Sequence, residues 1–165
     1  MLFPKTLFYF YGKEEAGMYN PIYLSNNFLI RSFDQRVPVT AMKIQKMLYF
    51  LYRDHLQKTG YALFSERFSA WKYGPVVETV YHTFKKYGAG SITDYGGVPA
   101  YTLREREYPL LKTLMDDIWD KSRPYNGIYL SKLTHDPCGA WYRAWIGNSP
   151  YLCDEDIAQD KVPIT

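Results

Sequence analysis

Residues 68–88 read FSAWKYGPVVETVYHTFKKYG and place aromatic residues and a Gly-Pro pair directly before an amphipathic segment. Gly74 permits backbone angles that a side chain would forbid, and Pro75 fixes one dihedral angle, so the pair predicts a rigid corner. We expect a short strand over 67–72 before the corner. We expect the next helix to begin at Gly74 and Pro75, because proline at the first helical position loses no hydrogen bond.

The helix predicted after this corner ends at Gly88 and buries one stripe of side chains, namely Val77, Val80, Tyr81 and Phe84. Trp71 is expected to join Tyr81 in the core. Lys72 and Tyr73 are expected to face outward beside the free N–H groups of the helix start, where an acidic group is favoured. A well-made turn without any functional role explains the same spacing.

Length and periodicity predict one mainly helical domain, residues 21–165, preceded by an aromatic appendage, residues 1–20. Apolar residues at helical spacing indicate helices near 23–36, 41–59 and 110–121, with shorter ones over 127–135 and 138–147. Thr40 is a good N-cap and Gly60 a good stop for the second of these. A second short strand over 100–103 is predicted to pair with the first, which gives an α+β fold with a small antiparallel β element.

The charge, the cysteines and the length of the apolar segments predict a cytoplasmic protein that binds neither nucleic acid nor membranes. The net charge is only +3, with 20 basic against 17 acidic residues and no basic stripe, so nucleic-acid binding is disfavoured. The two cysteines, Cys138 and Cys153, do not form a disulfide framework and fit a reducing cytoplasm. The apolar patch near the start is too short for a membrane span or a secretory signal, so a cytoplasmic protein without membrane contact is predicted.

Candidate catalytic and metal-binding groups are sparse. His135, Cys138 and Cys153 make one loose pair where zinc wants about four ligands, and His135 is expected to cap a helix or pack beside Trp141. Nucleophile-elbow and phosphate-loop motifs are absent. Asp116, Asp117 and Asp120 are expected to form a solvated helix face. The sequence therefore predicts neither an enzyme nor a cofactor.

The last five residues, KVPIT, echo RVPVT at 36–40. Since Thr40 is predicted to cap a helix, the echo predicts that Thr165 caps a closing helix beyond the end of this chain. An accidental similarity is the alternative.

Three motifs in this order resemble the Panacea domain, or SocA-like antitoxin, family. The first is MKIQKMLYF at 42–50, the second is the corner segment itself, and the third is LSKLTHDPCGAWYRA at 130–144. The resemblance runs from about residue 21 to residue 145. Ser69 stands where the family often has glutamate, and Ala140 where it often has proline.

The resemblance implies an antitoxin that neutralises a cognate protein toxin by direct contact, in a family with many prophage members. It places Trp71, Gly74, Pro75, Tyr81 and Trp141 in the structural motif. Partner contact is expected at five positions of the motifs: Lys46, Tyr49, Lys72, Tyr73 and His135. The 17 tyrosines fit such a contact role, since tyrosine is enriched at interfaces.

Three other functions stay open at this point. The chain could act as a proteolytic adaptor that delivers the toxin to a protease, or as a nucleic-acid-binding regulator. A hydrolase that uses His135, Cys138 or the Asp116–Asp117 pair is the third alternative.

Overall fold

The computed structural model of the chain describes residues 19–97 and 108–165, and within them there are seven α-helices and a two-stranded antiparallel sheet. This confirms the predicted mainly helical fold with a small β element. The predicted strand at 100–103, and all but the last two residues of the predicted appendage, lie outside the described residues. The domain boundary at residue 21 stays a prediction.

The elements follow one another in a simple order along the chain. A short 3₁₀ turn, Lys85–Tyr87, continues the third helix. The helices and strands are α1 (Pro21–Gln35), α2 (Ala41–Thr59), β1 (Ser69–Trp71), β2 (Gly74–Val76), α3 (Glu78–Phe84), α4 (Pro109–Ser122), α5 (Gly127–Thr134), α6 (Ala140–Ile146) and α7 (Asp154–Gln159).

Helix α2 is the centre of the fold and contacts α1, α3, α4, α5, α7 and β2. Its ends form as predicted. The Thr40 hydroxyl accepts a hydrogen bond from the Lys43 amide at 3.2 Å, and Gly60 ends the helix with a φ of 75°. Because α2 has neighbours on almost every side, it buries polar as well as apolar residues, including Gln45 and Lys46.

The predicted helix start at Gly74 and Pro75 is wrong, because both residues belong to strand β2. They pair with β1 in the register Ser69 with Val76, Ala70 with Pro75 and Trp71 with Gly74. The missing N–H of Pro75 costs nothing here. The amide of its partner Ala70 points away from β2 and donates to the Pro150 carbonyl at 2.9 Å, so this pair exchanges no ladder bonds.

Helix α3 therefore begins three residues later than predicted, at Glu78, with Val77 as its N-cap residue. Val77, Val80 and Phe84 are buried as expected. Tyr81 is 37% exposed, so the prediction that it fills the core is wrong. Its side chain lies beside Trp71 instead, about 100° around the helix from the buried Val80.

The second half of the chain packs around the other side of α2. The apolar stripe predicted for α4 is buried as expected and consists of Leu111, Leu114, Met115, Ile118 and Trp119. Residues 150–152 lie along the free edge of β1, where the Leu152 amide donates to the Phe68 carbonyl at 2.9 Å. Helix α7, which the sequence did not predict, follows this segment.

Candidate functional site

Two neighbouring side chains of α2 make hydrogen bonds to the backbone of the hairpin formed by β1 and β2 and of the residue that follows it. The Gln45 amide group both accepts from the Val77 N–H at 2.9 Å and donates to the Val77 carbonyl at 3.0 Å. It thereby replaces the neighbouring strand that Val77 lacks. Beside it, the Lys46 ammonium donates to the Pro75 carbonyl at 2.9 Å.

Helices α5 and α6 hold the other end of the hairpin in the same way. The Ser131 hydroxyl donates to the Tyr73 carbonyl at 2.7 Å. The Trp141 indole N–H donates to the Trp71 carbonyl at 2.8 Å. His135 Nε2 lies 3.1 Å from the Lys72 carbonyl, which can only accept, so this nitrogen carries the proton.

Five backbone carbonyls within seven residues are thus hydrogen-bonded by side chains from three helices. We call this set the clamp; it consists of Gln45, Lys46, Ser131, His135 and Trp141. Its members come from the first and third sequence motifs, and the carbonyls that they bind belong to the second. The three motifs are therefore parts of one hydrogen-bonded unit, in which the backbone polar groups of the hairpin are satisfied without a wider sheet.

Gly74 is required by the clamp as well as by the turn. Its φ of +101° lies in the region that favours glycine. A Cβ atom at this position would lie 2.5 Å from the Thr134 hydroxyl oxygen and 2.8 Å from Lys46 Nζ. The close approach of the hairpin to α2 and α5 therefore depends on the absence of a side chain.

Burial perturbs the two titratable members of the clamp. Lys46 is 1% exposed, and burial lowers its pKa from 10.5 to about 7. Burial also lowers the pKa of His135; its hydrogen bond to the Lys72 carbonyl opposes that shift, while the Lys46 charge adds to it. A neutral His135 with its proton on Nε2 agrees with the hydrogen bond that it donates.

The aromatic residues of the corner are on the surface rather than in the core. Trp71 and Tyr81 are 36% and 37% exposed, and their rings meet edge to face with centroids 4.8 Å apart. The prediction that Trp71 is a core residue is therefore wrong. Trp141 takes the buried position next to this strand, and His135, which also caps α5, packs on it with ring centroids 4.0 Å apart.

A groove of about 580 Å³ opens beside these aromatic rings, between the start of α2, the hairpin and the end of α3. We call it the corner groove; among its lining residues are Met42, Trp71, Lys72, Tyr73, Tyr81 and Lys85. Tyr73, at the tip of the hairpin, is 58% exposed, and the Lys72 ammonium lies over its ring at 5.3 Å. Among the described residues, three aromatic side chains therefore line the groove together with lysines and smaller apolar groups.

The structure divides the five predicted partner-contact residues into two groups. Lys72 and Tyr73 lie at the hairpin tip and line the corner groove, and His135 contacts the tip through the Lys72 carbonyl. The side chains of Lys46 and Tyr49 are buried, so in this fold they are out of reach of a partner. Burial and the neighbouring Asp160 raise the pKa of Tyr49, whose hydroxyl donates to the Asp160 carboxylate.

Asp160 is the member of this arrangement that sequence reasoning missed. Its carboxylate also accepts from the amides of Ala140 and Val162, at 3.2 and 2.9 Å, and so ties the last residues of the chain to α2 and α6. Position 160 lies 111 residues from Tyr49 and belongs to none of the three motifs. Nothing in the sequence pattern pointed to it.

The cysteines and aspartates considered as metal-binding or catalytic groups do not belong to the clamp. Within residues 19–97 and 108–165, no three His, Cys, Asp or Glu side chains are arranged to hold a metal ion. Cys138 and Cys153 are exposed free thiols. Asp116 pairs with Arg31 and Lys112, and Asp117 with Lys121, as expected for a solvated helix face.

None of the helices in the described part of the chain combines the length and the apolar character that crossing a membrane requires.

The part of the chain that matches known proteins covers most of the same three motifs. The model of the family described as "Antitoxin SocA-like, Panacea domain" matches residues 44–142, which include most of the first motif, the whole hairpin and the clamp helices up to Trp141. A relative, "Antitoxin SocA" of Caulobacter vibrioides (strain NA1000 / CB15N), is 38% identical over 52 residues. That match covers 32% of this chain and 28% of the relative.

No solved structure matches the chain significantly. The family match spans more than half of the sequence and contains the residues that build the clamp. The chain therefore belongs to the antitoxin SocA-like family of Panacea-domain proteins.

Proposed function

We propose that this chain is an antitoxin that neutralises a cognate protein toxin by binding it directly, without catalysis. Family membership supports the antitoxin role. The observation that carries the binding mechanism is a set of exposed aromatic side chains, namely Trp71 and Tyr73 on the clamped hairpin and Tyr81 on the adjoining helix α3. Tryptophan and tyrosine are enriched among the residues that contribute most to interface affinity.

The clamp favours binding because it fixes this surface in advance. An interface that is already ordered loses less conformational entropy on association than a flexible loop would. Under this proposal Lys72, Tyr73 and His135 contact the toxin. Lys46 acts indirectly, by holding the hairpin, whereas Tyr49 holds the C-terminal residues and takes no part in toxin binding.

A co-expression experiment tests the proposal. The neighbouring open reading frame and this chain are placed under separate inducers, and growth and co-purification are measured. We expect the neighbour alone to stop growth, and the wild-type chain to restore growth and to co-purify with it. Tyr73→Ala is expected to weaken both effects, whereas Tyr61→Ala, which removes a 77% exposed tyrosine after α2, is expected to leave them unchanged.

The outcomes separate the alternative functions. A harmless neighbour, or protection without any complex, contradicts the proposal. Restored growth with loss of the toxin from the lysate would instead show delivery to a protease. Protection that requires this chain to retain the operator DNA fragment would show that the chain is a nucleic-acid-binding regulator.

A further inference from the structure

The corner groove differs in charge from the chain as a whole. The full sequence is nearly balanced, with 20 basic and 17 acidic residues. Of the eleven described residues that line the groove, three are lysines and none is acidic. The positive character of the groove is therefore local, and it does not follow from the overall composition.

The lysines of the groove are placed differently. Lys46 contributes to the wall, while its ammonium lies under the hairpin and binds the Pro75 carbonyl. Lys72 and Lys85 are exposed and stand on two separate elements, the hairpin turn and the 3₁₀ turn after α3. Both side chains are exposed, with the Lys72 ammonium over the Tyr73 ring, so a ligand that enters between them meets both.

The rest of the wall is mainly apolar or aromatic. Met42 and Val76 line the same groove as the paired rings of Trp71 and Tyr81. A surface of this kind buries one or two apolar side chains and leaves a bound segment between two cations. The chemistry that complements both features is an apolar side chain with a carboxylate close to it.

On the basis of the proposed antitoxin role, we propose that the corner groove binds a short acidic segment of the toxin. An apolar or aromatic side chain of that segment packs against Trp71 and Tyr81. Carboxylates beside it pair with Lys72 and Lys85. A toxin is favoured over single-stranded nucleic acid because the groove is short, with about 580 Å³ and two exposed lysines, whereas nucleic-acid sites follow a charged backbone over several nucleotides.

Charge reversal tests this assignment with the toxin identified by co-expression. Isothermal titration calorimetry compares the wild-type chain with the double variant Lys72→Glu/Lys85→Glu. We expect the Kd to rise at least tenfold at 0.15 M salt, and by less at 0.5 M salt, where exposed ion pairs are screened. Neither side chain belongs to the clamp, so far-UV circular dichroism and the thermal midpoint should match those of the wild type.

Lys58→Glu is the control for charge reversal away from the groove. Lys58 is an exposed lysine in the last turn of α2, roughly 24 Å along the helix axis from Met42. Its reversal makes half the charge change of the double variant, far from the groove. We expect its Kd to stay within twofold of the wild-type value.

Each result has a separate meaning. A wild-type chain that does not bind the toxin removes the antitoxin proposal and this assignment together. A wild-type complex that the double variant forms equally well overturns the groove assignment alone. A free protein that is a dimer by light scattering and that Lys72→Glu/Lys85→Glu converts to a monomer would show a second copy in the groove. Binding of a labelled oligothymidine in competition with the toxin would show a nucleic-acid site. Either of these last two results overturns the assignment.

Discussion

Gly74 joins the backbone requirement of the hairpin to the packing requirement of the clamp. Its positive φ favours glycine, and the space where a Cβ would stand is filled by Thr134 and by the ammonium of Lys46. Few positions in a small domain carry both restrictions at once. The glycine of the second motif is therefore explained by what lies beneath it.

Gly74→Ala is expected to destabilise the fold by at least about 2 kcal/mol, because backbone strain and steric overlap act together. Gly97→Ala is the matched control, since nothing lies within 4 Å of its added Cβ and its φ is not in the left-handed region. Its effect should stay within about 0.5 kcal/mol. Urea unfolding of both variants measures the difference, and equal stabilities would contradict the packing account.

Lys46 makes the stability of the fold depend on pH in a defined direction. Its pKa falls from 10.5 when exposed to about 7 in the folded chain. Between these values the unfolded chain binds more protons than the folded one, so stability rises as the pH rises. Lys43, whose pKa burial lowers to about 8, acts in the same direction.

The expected gain from Lys46 between pH 7 and pH 9 is about 2 kcal/mol, measured by urea unfolding at both values. Lys46→Met removes the titrating group and keeps most of the side-chain volume. That variant should show a clearly smaller gain, with the Lys43 contribution left. An unchanged pH dependence in Lys46→Met would show that the folded chain does not bury this ammonium as described.

At the scale of the elements, the hairpin is a sheet too small to be stable alone, and side chains supply the missing strands. Isolated two-stranded hairpins are marginal in water. Here Gln45 takes the place of a strand on one side, and residues 150–152 pair along the other. The hairpin is therefore a product of its neighbours rather than of local propensity.

Gln45→Glu tests this description. A carboxylate still accepts from the Val77 amide but cannot donate to the Val77 carbonyl, so two acceptors face each other in a buried site. We expect a loss of about 2–4 kcal/mol together with faster hydrogen exchange of the Val77 amide. Gln159→Glu, at an exposed position of α7, should change stability by less than about 0.5 kcal/mol. Similar losses in the two variants would contradict the strand-like role of Gln45.

The sequence predicts some elements well because their signals are local. Helix α2 follows from its apolar spacing together with Thr40 and Gly60, and α4 from its buried stripe. The predicted helix start at Gly74 and Pro75 is wrong because proline suits a helix start as well as a non-hydrogen-bonded strand position. Only the pairing with β1 decides between them.

The sequence motifs contain the residues of the clamp but do not predict how those residues are arranged. The clamp residues lie in the first and third motifs, yet a sequence does not show which backbone carbonyl each side chain reaches. Lys46 and Pro75 are 29 residues apart, and Trp141 and Trp71 are 70 apart. The exposure of Trp71 and Tyr81 likewise depends on how α3 leaves the hairpin.

At the scale of the whole molecule, the C-terminal residues are tied to the central helix rather than left free. Asp160 is 2% exposed and accepts from Tyr49 and from two backbone amides. The Arg53 guanidinium donates to the Val162 carbonyl, and the Tyr129 hydroxyl to the Thr165 carbonyl.

Tyr49→Phe is expected to cost about 1–3 kcal/mol, because the buried Asp160 carboxylate loses one of its hydrogen bonds. Tyr61→Phe, at an exposed tyrosine, should be neutral. Chemical denaturation measures both. Since Tyr49 is buried, the folded variant should bind the toxin as the wild type does, and a selective loss of toxin binding without loss of stability would contradict its structural role.

The central claim is that the hairpin tip and the corner groove form the toxin-binding face, and hydrogen–deuterium exchange of the free chain and of its complex tests it most directly. We predict new protection of the turn amides at residues 72–73 and in peptides covering residues 82–90, where exposed turns exchange rapidly in the free protein. The Ala70 and Val77 amides are already hydrogen-bonded in the free chain and should change little. Peptides from 109–122 should be unchanged, because α4 packs against α2 and contributes none of the described residues that line the corner groove. Protection confined to α4, with the hairpin and the groove exchanging as in the free chain, would contradict the claim.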